Sequence, residues 1–348
     1  MVPVPFATSA MTVSVVIPHL NRADLLGPAL RSVNSLRMPP GSELEVIVVD
    51  NGSADDSTAT ARELGARVIE LGSNHGVSLA LNRGIKEARG EWIVLLNNDV
   101  RLKGDWLALL LNGALRSSAW FATGKIYDAN RENLLDGAGD AVCRGGAAWR
   151  LGHGKADGPA FSNQRTTHFP SATAVLFRRE FFERTGLYDE AFFAYLEDVD
   201  LGMRAAALGL QGVYLPEAEA WHLGSETGGQ WSARSVTWIT RHQILLIAKH
   251  YSQPMLLRFA MPIVAAQLLW ATMAVSRGRF RPWLRGLKLG LADCKTRWSA
   301  ASRAGRAPLA AALCASEAEI ARYQQAAGWD RFWKWYFRLA WPAESGRG

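Results

Sequence analysis

The sequence has few cysteines and lacks the glycine-rich motifs of two large classes of nucleotide-binding enzyme. Its three cysteines, Cys143, Cys294 and Cys314, are widely spaced. They form neither a disulfide framework nor a CxxC metal site, so a reducing compartment is expected. No GxGxxG follows the first predicted strand, which disfavours a dehydrogenase. The absence of GxxxxGKS and GxxxxGKT excludes a Walker-type NTPase.

A secretory signal is missing, and so are the marks of disorder. Met1–Ala10 is apolar but has no basic region, so it is not interpreted as a secretory signal. Residues 1–11 are predicted to be an N-terminal leader. Hydrophobic residues make up 49% of the 348 positions and charged residues 20%, which is typical of a folded protein. This length suits two modest domains, or one domain with a substantial extension.

Net positive charge is concentrated near the C-terminus. The whole chain has a net charge of +7, whereas residues 277–348 contain 14 basic and 5 acidic residues. Eight of the 14 tryptophans lie between Trp238 and Trp341. Arginine and tryptophan together predict either a membrane surface or nucleic acid as the partner of this segment.

Apolar runs alternate with helical patterns over the first third of the chain. The predicted strands are Val13–Ile17, Glu45–Asp50, Arg67–Leu71 and Trp92–Leu96, and the predicted helices are Ala23–Leu36, Asp56–Leu64, Ser78–Ala88 and Asp105–Ser117. This alternation predicts an α/β fold with a mostly parallel sheet covered on both faces. Ligands bind such sheets beyond the carboxyl ends of the strands.

Each predicted strand is followed by a short polar segment. These segments are Pro18–Arg22, Asp50–Ser53, Gly72–Gly76 and Asn97–Asp99. The same residue types form ordinary turns, but here amides or carboxylates recur at one sheet edge. Asp50 can accept a hydrogen bond from the imide of uracil or thymine, or from a ribose hydroxyl. Asp99, next to two amides, suits Mg²⁺ or Mn²⁺ shared with a diphosphate.

Three carboxylates open another helical pattern further along the chain. Glu197, Asp198 and Asp200 follow an aromatic segment. Acidic residues in a first turn can simply stabilise a helix, and Asp200 and Arg204 have the spacing of an ion pair. Aromatic neighbours also raise the pKa of a carboxylate, as a general base requires. His222 ends a later predicted strand and is either structural or a ligand.

Six motifs occur in one order over roughly residues 12–225: VSVVIP, VVDNGS, NHGVSLALNRG, LLNND, FFAYLEDVDLGMR and EAEAWH. This order resembles glycosyltransferase family 2, and within it the bacterial rhamnosyl- and galactofuranosyl-transferases of cell-envelope polysaccharides. The resemblance implies the Rossmann-like nucleotide-diphosphosugar transferase fold called GT-A, and inversion of the anomeric centre.

The resemblance also implies roles for residues around the donor. Asp50 would read the pyrimidine, with further nucleoside, ribose and diphosphate contacts from Pro18, Asn21, Asn51, Gly52, Asn74, Gly76, Asn82 and Asn97. The segment Asn97-Asn98-Asp99 resembles the family's DXD-like metal motif, although it has only one carboxylate.

A metal and a base complete the implied chemistry. Asp99 and His222 would bind Mg²⁺ or Mn²⁺, since galactofuranosyl relatives have a metal-binding histidine about 24 residues after the base. Asp198 would be that catalytic base, with Glu197 beside it. A metal that neutralises the diphosphate makes it a better leaving group.

Acceptor residues are predicted in two loop-rich segments. Trp149, His153 and Trp231 are candidates for contact with an acceptor sugar, although scattered aromatic residues are common in loops. Ser225–Trp231 contains two adjacent glycines beside a tryptophan, which fits either a mobile lid or an ordinary surface loop.

Two C-terminal segments suggest a membrane surface. Pro254–Val275 is apolar and, at 22 residues, long enough to span a bilayer. It is interpreted as a membrane-dipping or re-entrant element, with a true span as the alternative, and arginines follow it. Trp329–Trp341 predicts an amphipathic helix that either lies on anionic lipid or packs on protein. Its membrane residues would be Trp329, Trp333, Tyr336, Phe337, Arg331, Lys334 and Arg338. Nucleic acid is disfavoured, because the basic and aromatic residues lie on opposite faces.

The sequence therefore predicts an inverting glycosyltransferase of bacterial cell-envelope polysaccharide synthesis. Residues 12–122 would bind a dTDP- or UDP-linked sugar, which the resemblance suggests is rhamnose-like. Residues 123–234 would complete the catalytic domain, and residues 235–348 would associate with the membrane. The acceptor would be a saccharide on a polyprenyl diphosphate, at the cytoplasmic face of the inner membrane. The alternative is a catalytically inactive membrane-bound nucleotide-sugar or glycan-binding protein. A nucleotidylyltransferase is disfavoured, because its glycine-rich opening is missing.

Overall fold

A computed structural model describes residues 11–171, 173–224, 231–301 and 307–340 of the chain. The predicted leader apart from Met11, the loop Ser225–Gln230 and Trp341 lie outside these residues. By packing, the chain divides into two compact units. The first contains the described residues among 1–140, 152–205 and 210–224, and the second those among 141–151, 206–209 and 225–348.

The first unit is built on one large mixed sheet. Its strands are β1 (Thr12–His19), β2 (Glu43–Asp50), β3 (Arg67–Glu70), β4 (Trp92–Leu96), β5 (Val100–Leu102), β6 (Phe121–Asp128) and β7 (Leu135–Gly137), followed by β10 (Arg165–Thr167), β11 (Ala174–Arg178) and β12 (Gly212–His222). The main order is β10-β12-β6-β11-β4-β1-β2-β3, with β5 paired to β12 and β7 to β6. Two further strands, β8 (Asp140–Val142) and β9 (Ala148–Arg150), form a separate small sheet, which belongs to the second unit except for Asp140.

The predicted parallel arrangement is confirmed for the first four long strands. β3, β2, β1 and β4 are mutually parallel, in the order in which they lie across the sheet. β11 then pairs antiparallel with both β4 and β6, so the whole sheet is mixed. The predicted strands and helices of this half match the structure to within about two residues at their ends.

Helices cover both faces of this sheet, which explains the continuous apolar runs of its central strands. The helices are α1 (Ala23–Asn34), α2 (Ser57–Glu63), α3 (Val77–Glu87), α4 (Trp106–Arg116), α5 (Arg179–Thr185) and α6 (Glu197–Ala207). Val15 and Ile17 of β1 belong to one core cluster with Leu110 of α4. Val16 belongs to a second cluster with Leu81 of α3. Both clusters exclude water from the central strands, whose carboxyl ends lead into the polar segments.

The second unit consists mainly of helices. These are α7 (Ala233–His250), α8 (Gln253–Arg258), α9 (Ala260–Ser276), α10 (Phe280–Ala301), α11 (Ala307–Ala327) and α12 (Arg331–Ala340). The predicted single element Pro254–Val275 is divided into α8 and α9 at Phe259. Among the described residues, no helix combines the length and the apolar character needed to cross a membrane.

Helix α12 is where the membrane prediction fails. Trp333 and Tyr336 were expected on its lipid-facing side, but their exposed fractions are only 3% and 0%. The Trp333 ring lies 5.8 Å from that of Trp149, and the Tyr336 hydroxyl donates to Glu317 of α11 at 2.6 Å. The prediction that these two residues contact lipid is therefore wrong, because their apolar face packs on protein.

The other predicted membrane residues of this segment are less buried. Arg331, Lys334 and Arg338 are exposed, Phe337 is half-buried, and 40% of Trp329 is exposed. Contact of these five residues with a membrane stays a prediction.

A buried polar network ties α11 and α12 to the segment 141–151. Glu317 is 1% exposed, and its carboxylate accepts from the Arg144 guanidinium at 2.7 Å and from the Arg144 backbone N–H at 2.8 Å. The Tyr336 hydroxyl in turn accepts from the Gly145 N–H at 3.2 Å. A buried carboxylate needs such partners, because burial without them is costly.

We expect Trp333→Ala to lower the free energy of unfolding by about 3–5 kcal/mol, the usual cost of removing a large core side chain. Denaturant unfolding of the full chain measures this change. The control is Trp335→Ala on the same helix, where the side chain is 47% exposed and the loss should stay within about 0.5 kcal/mol. Equal effects of the two variants would contradict the packing of α12.

Candidate functional site

The polar ends of β1, β2 and β4 meet around His19. The buried His19 ring contacts the Ser57 hydroxyl through Nε2 at 2.7 Å, and the Asn98 amide nitrogen contacts its Nδ1 at 2.8 Å. Because an amide nitrogen can only donate, Nδ1 accepts and Nε2 carries the ring proton. Burial lowers the pKa of His19, in agreement with a neutral ring, although nearby aspartates oppose the shift. His19 thus fixes Asn98, the residue before Asp99.

Asp50 shapes the loop after β2. Only 3% of Asp50 is exposed, and its carboxylate accepts from the backbone N–H groups of Gly52 at 3.3 Å and Ser53 at 3.1 Å. Gly52 has φ +90°, and a Cβ there would lie 2.6 Å from the Cα of Ser73. This close approach requires glycine and joins the loop after β2 to the loop after β3.

Asn51 and Asn74 strengthen the same junction. The Asn51 side-chain oxygen accepts from the His75 N–H at 2.9 Å, and its amide nitrogen donates to the Gly76 carbonyl at 3.1 Å. The Asn74 side chain accepts from the Gly76 N–H at 3.0 Å. The predicted donor residues after β2 and β3 therefore lie together in one hydrogen-bonded group.

Pro18 and Asn21 occupy the neighbouring strand end. Pro18 lies within β1, in register with Val49 of β2. The Asn21 side chain accepts from the Ala54 N–H at 2.9 Å, and its own N–H donates to the Ser53 hydroxyl at 2.7 Å. These bonds connect the end of β1 to the loop after β2.

The loop after β3 also contacts the segment before α6. The Val77 N–H donates to the Phe193 carbonyl at 2.8 Å, and a Cβ on Gly76 would lie 2.4 Å from that same oxygen. Asn82 exchanges hydrogen bonds of 2.9 Å with the backbone of Tyr188. The amide of Asn82 therefore holds the chain near α6, and its contact with a diphosphate stays a prediction.

The start of α6 presents the two predicted catalytic carboxylates in different environments. Tyr195 and Leu196 have φ angles of +70° and +65°, a conformation that side-chain-bearing residues seldom adopt and that often occurs at functional sites. Glu197 is 6% exposed, and its Oε2 has no hydrogen-bond partner among the described residues. Asp198 is half-buried, and its Oδ1 accepts from the Val199 N–H at 2.8 Å.

These environments change the pKa of the buried member of the pair. Burial, and then the charge of Asp198, raise the pKa of Glu197 well above its usual range. Glu197 therefore retains its proton at neutral pH, so that its negative charge does not add to that of Asp198. The third acid of the cluster, Asp200, is fully buried and pairs with Arg204 at 3.0 Å, as its spacing predicts.

Asp99 and His222 meet at the edge of the sheet although 123 positions separate them. Nε2 of His222 lies 3.2 Å from Oδ1 of Asp99, and both residues are nearly buried. The pairing of β5 with β12 causes this meeting, because His222 is in register with Val100, the residue after Asp99.

A third residue, Asp136, completes this group. Its Oδ2 lies 2.8 Å from Nδ1 of His222, and 7% of its side chain is exposed. Burial lowers the pKa of His222, but the hydrogen bonds to Asp136 and Asp99 outweigh it and raise the pKa to about 9. Among the described residues, no three His, Cys, Asp or Glu side chains are arranged to hold a metal by themselves.

The donor set nevertheless fits a hard divalent cation. A carboxylate oxygen and an imidazole nitrogen face each other, and the second nitrogen of the histidine is hydrogen-bonded to a carboxylate. Metal-binding histidines characteristically have such a carboxylate partner, which fixes the tautomer and the ring orientation. Mg²⁺ and Mn²⁺ usually take only one or two protein ligands and complete their coordination with phosphate and water. Asp99 and His222 could therefore be the protein ligands of such a cation.

The predicted acceptor residues are divided between the two units. His153 belongs to the first unit, where its Nδ1 lies 3.0 Å from the Asp136 carbonyl oxygen. Trp149 and Trp231 belong to the second unit, where Trp149 contacts Trp333 and Trp231 stacks on Trp270 at 5.3 Å. Contact of these three residues with an acceptor stays a prediction.

The sequence reasoning missed His19 and Asp136. His19 lies in the polar segment Pro18–Arg22, and its sequence position alone indicates no role for its side chain. Asp136 lies on the three-residue strand β7 in a glycine-rich stretch, where no periodicity marks a strand. The one available signal was its side-chain type, since a metal-bound histidine calls for a carboxylate neighbour.

We expect Glu197→Gln to change how the free energy of unfolding depends on pH. The raised pKa means that the folded state keeps a proton that the unfolded state loses above about pH 4.5. The wild type should therefore lose stability relative to the variant by up to about 1.4 kcal/mol per pH unit, from that pH up to the raised folded pKa.

Denaturant unfolding of both proteins at several pH values measures the difference. Glu183→Gln, at an exposed position of α5, is the control and should show no such slope. A constant difference between wild type and Glu197→Gln across pH 5–8 would contradict a protonated, buried Glu197.

Comparison with known proteins gives the family. The model of Glycosyl transferase family 2 matches residues 14–186. The N-acetylglucosaminyl-diphospho-decaprenol L-rhamnosyltransferase of Mycobacterium tuberculosis (strain CDC 1551 / Oshkosh) is 28% identical over 229 residues, covering 59% of this chain and 75% of that protein. The O-antigen biosynthesis protein RfbC of Myxococcus xanthus is 31% identical over 221 residues, covering 60% of this chain but only 17% of that protein.

Solved structures agree on the fold. GalNAc-T7 with UDP, GalNAc and Mn²⁺ superposes with a TM-score of 0.59 at 15% identity, over 84% of this chain and 59% of that one. The mannosyltransferase PcManGT of Pyrobaculum calidifontis, with GDP-Man and Mn²⁺, has a TM-score of 0.51 at 18% identity, over 98% of this chain and 91% of that one. The α/β fold is thus that of GT-A glycosyltransferases, and the chain belongs to glycosyltransferase family 2 through residues 14–186.

Proposed function

We propose that the protein is an inverting glycosyltransferase that moves a sugar from a nucleotide diphosphate to a lipid-linked saccharide. The observation that carries the proposal is the group formed by Asp99, His222 and Asp136, which suits a cation bound to a diphosphate. A rhamnose-like sugar on dTDP or UDP is the favoured donor, because a rhamnosyltransferase is among the relatives. The hydrogen-bonded loops after β1, β2 and β3 would hold the nucleoside and ribose.

Asp99 and His222 would hold Mg²⁺ or Mn²⁺, and Asp136 would orient His222. Mn²⁺ accompanies the nucleotide or nucleotide sugar in both structural neighbours, which supports a divalent metal. When bound, such a metal neutralises the charge that develops on the leaving diphosphate. His222 would lose its Nε2 proton on binding the metal, and Asp136 would keep the Nδ1 proton, so that Nε2 would offer its lone pair to the metal.

Asp198 would act as the general base. Its half-exposed carboxylate would accept the proton of an acceptor hydroxyl while the oxygen attacks the anomeric carbon and the bond to the diphosphate breaks on the opposite face. A single displacement inverts the configuration and needs no nucleophile from the protein. Glu197, protonated and buried, would keep the local negative charge on Asp198 alone.

The acceptor is proposed to be a saccharide on a polyprenyl diphosphate. One relative acts on a diphospho-decaprenol-linked sugar, and another is a dodecaprenyl-phosphate galacturonate synthase. Since lipid-linked substrates lie in membranes, we place the protein at the cytoplasmic face of the inner membrane as a peripheral or monotopic protein. It would act there in the synthesis of a cell-envelope polysaccharide.

The alternative is a catalytically inactive protein that binds a nucleotide sugar or a glycan. The reduction of the metal motif to Asn97-Asn98-Asp99, with one carboxylate, favours it. The half-exposed Asp198 favours the enzyme, because binding a nucleotide sugar requires no general base, whereas His222 would serve binding and catalysis alike.

We expect Asp198→Asn to reduce sugar transfer by about 10²–10⁴-fold, the usual contribution of a general base, since an amide cannot accept the proton. Transfer to a lipid-linked acceptor is measured with a panel of UDP- and dTDP-sugars, and nucleotide affinity is measured in parallel and should not change. Glu183→Gln is the matched control on an exposed carboxylate. Near-normal transfer by Asp198→Asn would remove Asp198 from the mechanism.

The metal site is tested through binding. Asp99→Ala and His222→Ala should each weaken Mn²⁺-dependent binding of UDP or dTDP, and Asp136→Asn should lower metal affinity by about 10–100-fold, as loss of a carboxylate behind a ligand does. Calorimetric titration of Mn²⁺ in the presence of nucleotide measures these effects. EDTA should abolish transfer by the wild type. Persistent transfer in EDTA would mean that basic side chains neutralise the diphosphate instead.

A further inference from the structure

The second unit contains a cavity of about 770 Å³ between α7 and α10. Among the described residues that line it are four arginines, two from each helix: Arg234 and Arg241 from α7, and Arg281 and Arg285 from α10. Within the same described part of the wall, the one carboxylate is that of Asp293. This volume lies within the range of small-molecule sites, which is about 300–1,000 Å³.

Positive charge dominates this cavity. Asp293 already accepts from Arg241, with contacts of 2.7 Å to Nε and 2.6 Å to Nη2. Among the described residues of the wall, the guanidinium groups therefore outnumber the carboxylate, and the exposed Arg281 and Arg285 of α10 contribute the excess positive charge. Like charges in one cavity repel, so such a wall is complementary to an anion. Arg281 and Arg285 are exposed and can turn their side chains toward a ligand.

The two helices that form the cavity are held together closely. A Cβ on Gly286 would lie 2.4 Å from the Thr237 carbonyl oxygen, and a Cβ on Gly290 would lie 3.1 Å from that of Arg241. The Thr237 hydroxyl also donates to the Pro282 carbonyl at 3.1 Å. Tight contact between the backbones fixes the helix positions from which the four arginine side chains extend.

Guanidinium groups bind both carboxylates and phosphates. Their planar arrays of N–H donors match phosphate oxygens in pairs, and a cluster of them suits the several oxygens of a phosphate or diphosphate. A sugar or a carbohydrate chain offers no such charge. The aromatic ring of Trp238 supplies an apolar wall beside Arg234, whose guanidinium lies 5.7 Å from the ring centre.

An apolar surface on α8 and α9 indicates which kind of molecule carries the phosphate. Five apolar side chains of these helices have exposed fractions of 49–77%: Leu257, Met261, Val264, Leu268 and Val275. The spacing of three, four and seven residues places the four members on α9 in one stripe, and Leu257 lies on the preceding helix α8. Water is a poor environment for so many adjacent apolar side chains, whereas the acyl region of a membrane is a favourable one.

The stripe and the cavity are close along the chain. Helix α9 ends at Ser276 and α10 begins at Phe280, so a short turn separates Val275 from Arg281. A lipid presents the matching combination, since its chains are apolar and its headgroup carries the phosphate. We propose that the arginine cavity binds the phosphate or diphosphate headgroup of a membrane lipid while the stripe rests on the bilayer. This inference rests on the proposed function, because it supplies the site for its lipid substrate or its membrane.

The test uses the full chain and a double variant, Arg281→Gln with Arg285→Gln. Lys288→Gln is the matched control, because Lys288 is an exposed cation on the same helix but does not line the cavity. Calorimetry in EDTA measures the binding of inorganic pyrophosphate. Co-sedimentation measures binding to phosphatidylcholine vesicles that contain either phosphatidylglycerol or undecaprenyl diphosphate at equal charge.

We expect the double variant to bind pyrophosphate at least 10-fold more weakly than the wild type, with Lys288→Gln within twofold of the wild type. Vesicle binding should fall in parallel. A loss confined to undecaprenyl diphosphate vesicles would identify the acceptor's diphosphate as the ligand, and an equal loss with phosphatidylglycerol would identify the general lipid headgroup. Both results support a lipid phosphate site.

Two results would overturn the inference. Equal pyrophosphate affinity in all three proteins would remove the cavity as a phosphate site. A loss of pyrophosphate binding without any change in vesicle binding would exclude lipid as the source. Hydrolysis of the nucleotide-sugar donor with Mn²⁺ provides the separate check on the proposed function. The double variant should keep this hydrolysis, and its absence in the wild type would contradict the proposed function and not the cavity.

Discussion

The contact of His222 with two carboxylates is the interaction on which this account of the protein depends. Nε2 faces Asp99 at 3.2 Å and Nδ1 faces Asp136 at 2.8 Å, so the ring is held from both sides. Three different strand pairings have to form before this contact can exist: β5 with β12, β12 with β6, and β6 with β7. The edge of the sheet thus converts residues far apart in sequence into one site. A histidine held in this way is organised before any ligand arrives, which saves the cost of ordering it on binding.

The same sheet also positions the loops after β2 and β3 and the segment before α6. The loops after β2 and β3 bond to each other through Asn51 and Asn74, and the loop after β3 bonds to Phe193 just before α6. Displacement of one loop would therefore disturb the others. The unusual backbone angles of Tyr195 and Leu196 fit this picture, since strain persists where surrounding contacts fix the chain. The result is a buried Glu197, whose pKa is raised by burial and by the charge of Asp198, beside a half-buried Asp198, so the two acids differ in environment.

The sequence could predict features that are encoded within a few neighbouring residues or in a motif spacing, and it could not predict other contacts between distant residues. The strands before residue 97 were predictable because runs such as VSVVI are buried on both faces, and the match of Asp99 with His222 was anticipated through a motif spacing. Asp136 was not, because a three-residue strand in a glycine-rich stretch leaves no pattern. The error on α12 has a similar cause: an amphipathic face indicates burial, but it does not tell whether protein or lipid covers it. Here protein covers Trp333 and Tyr336, and the exposed apolar stripe lies on α8 and α9 instead.

The most direct test of the central claim is a crystal of the wild-type protein with UDP or dTDP and Mn²⁺, measured for anomalous scattering of manganese. The account predicts a single strong peak within bonding distance of an Asp99 carboxylate oxygen and His222 Nε2, with Asp136 still hydrogen-bonded to Nδ1. A manganese peak bound by other residues, or nucleotide bound in the donor loops without any peak beside His222, would contradict it.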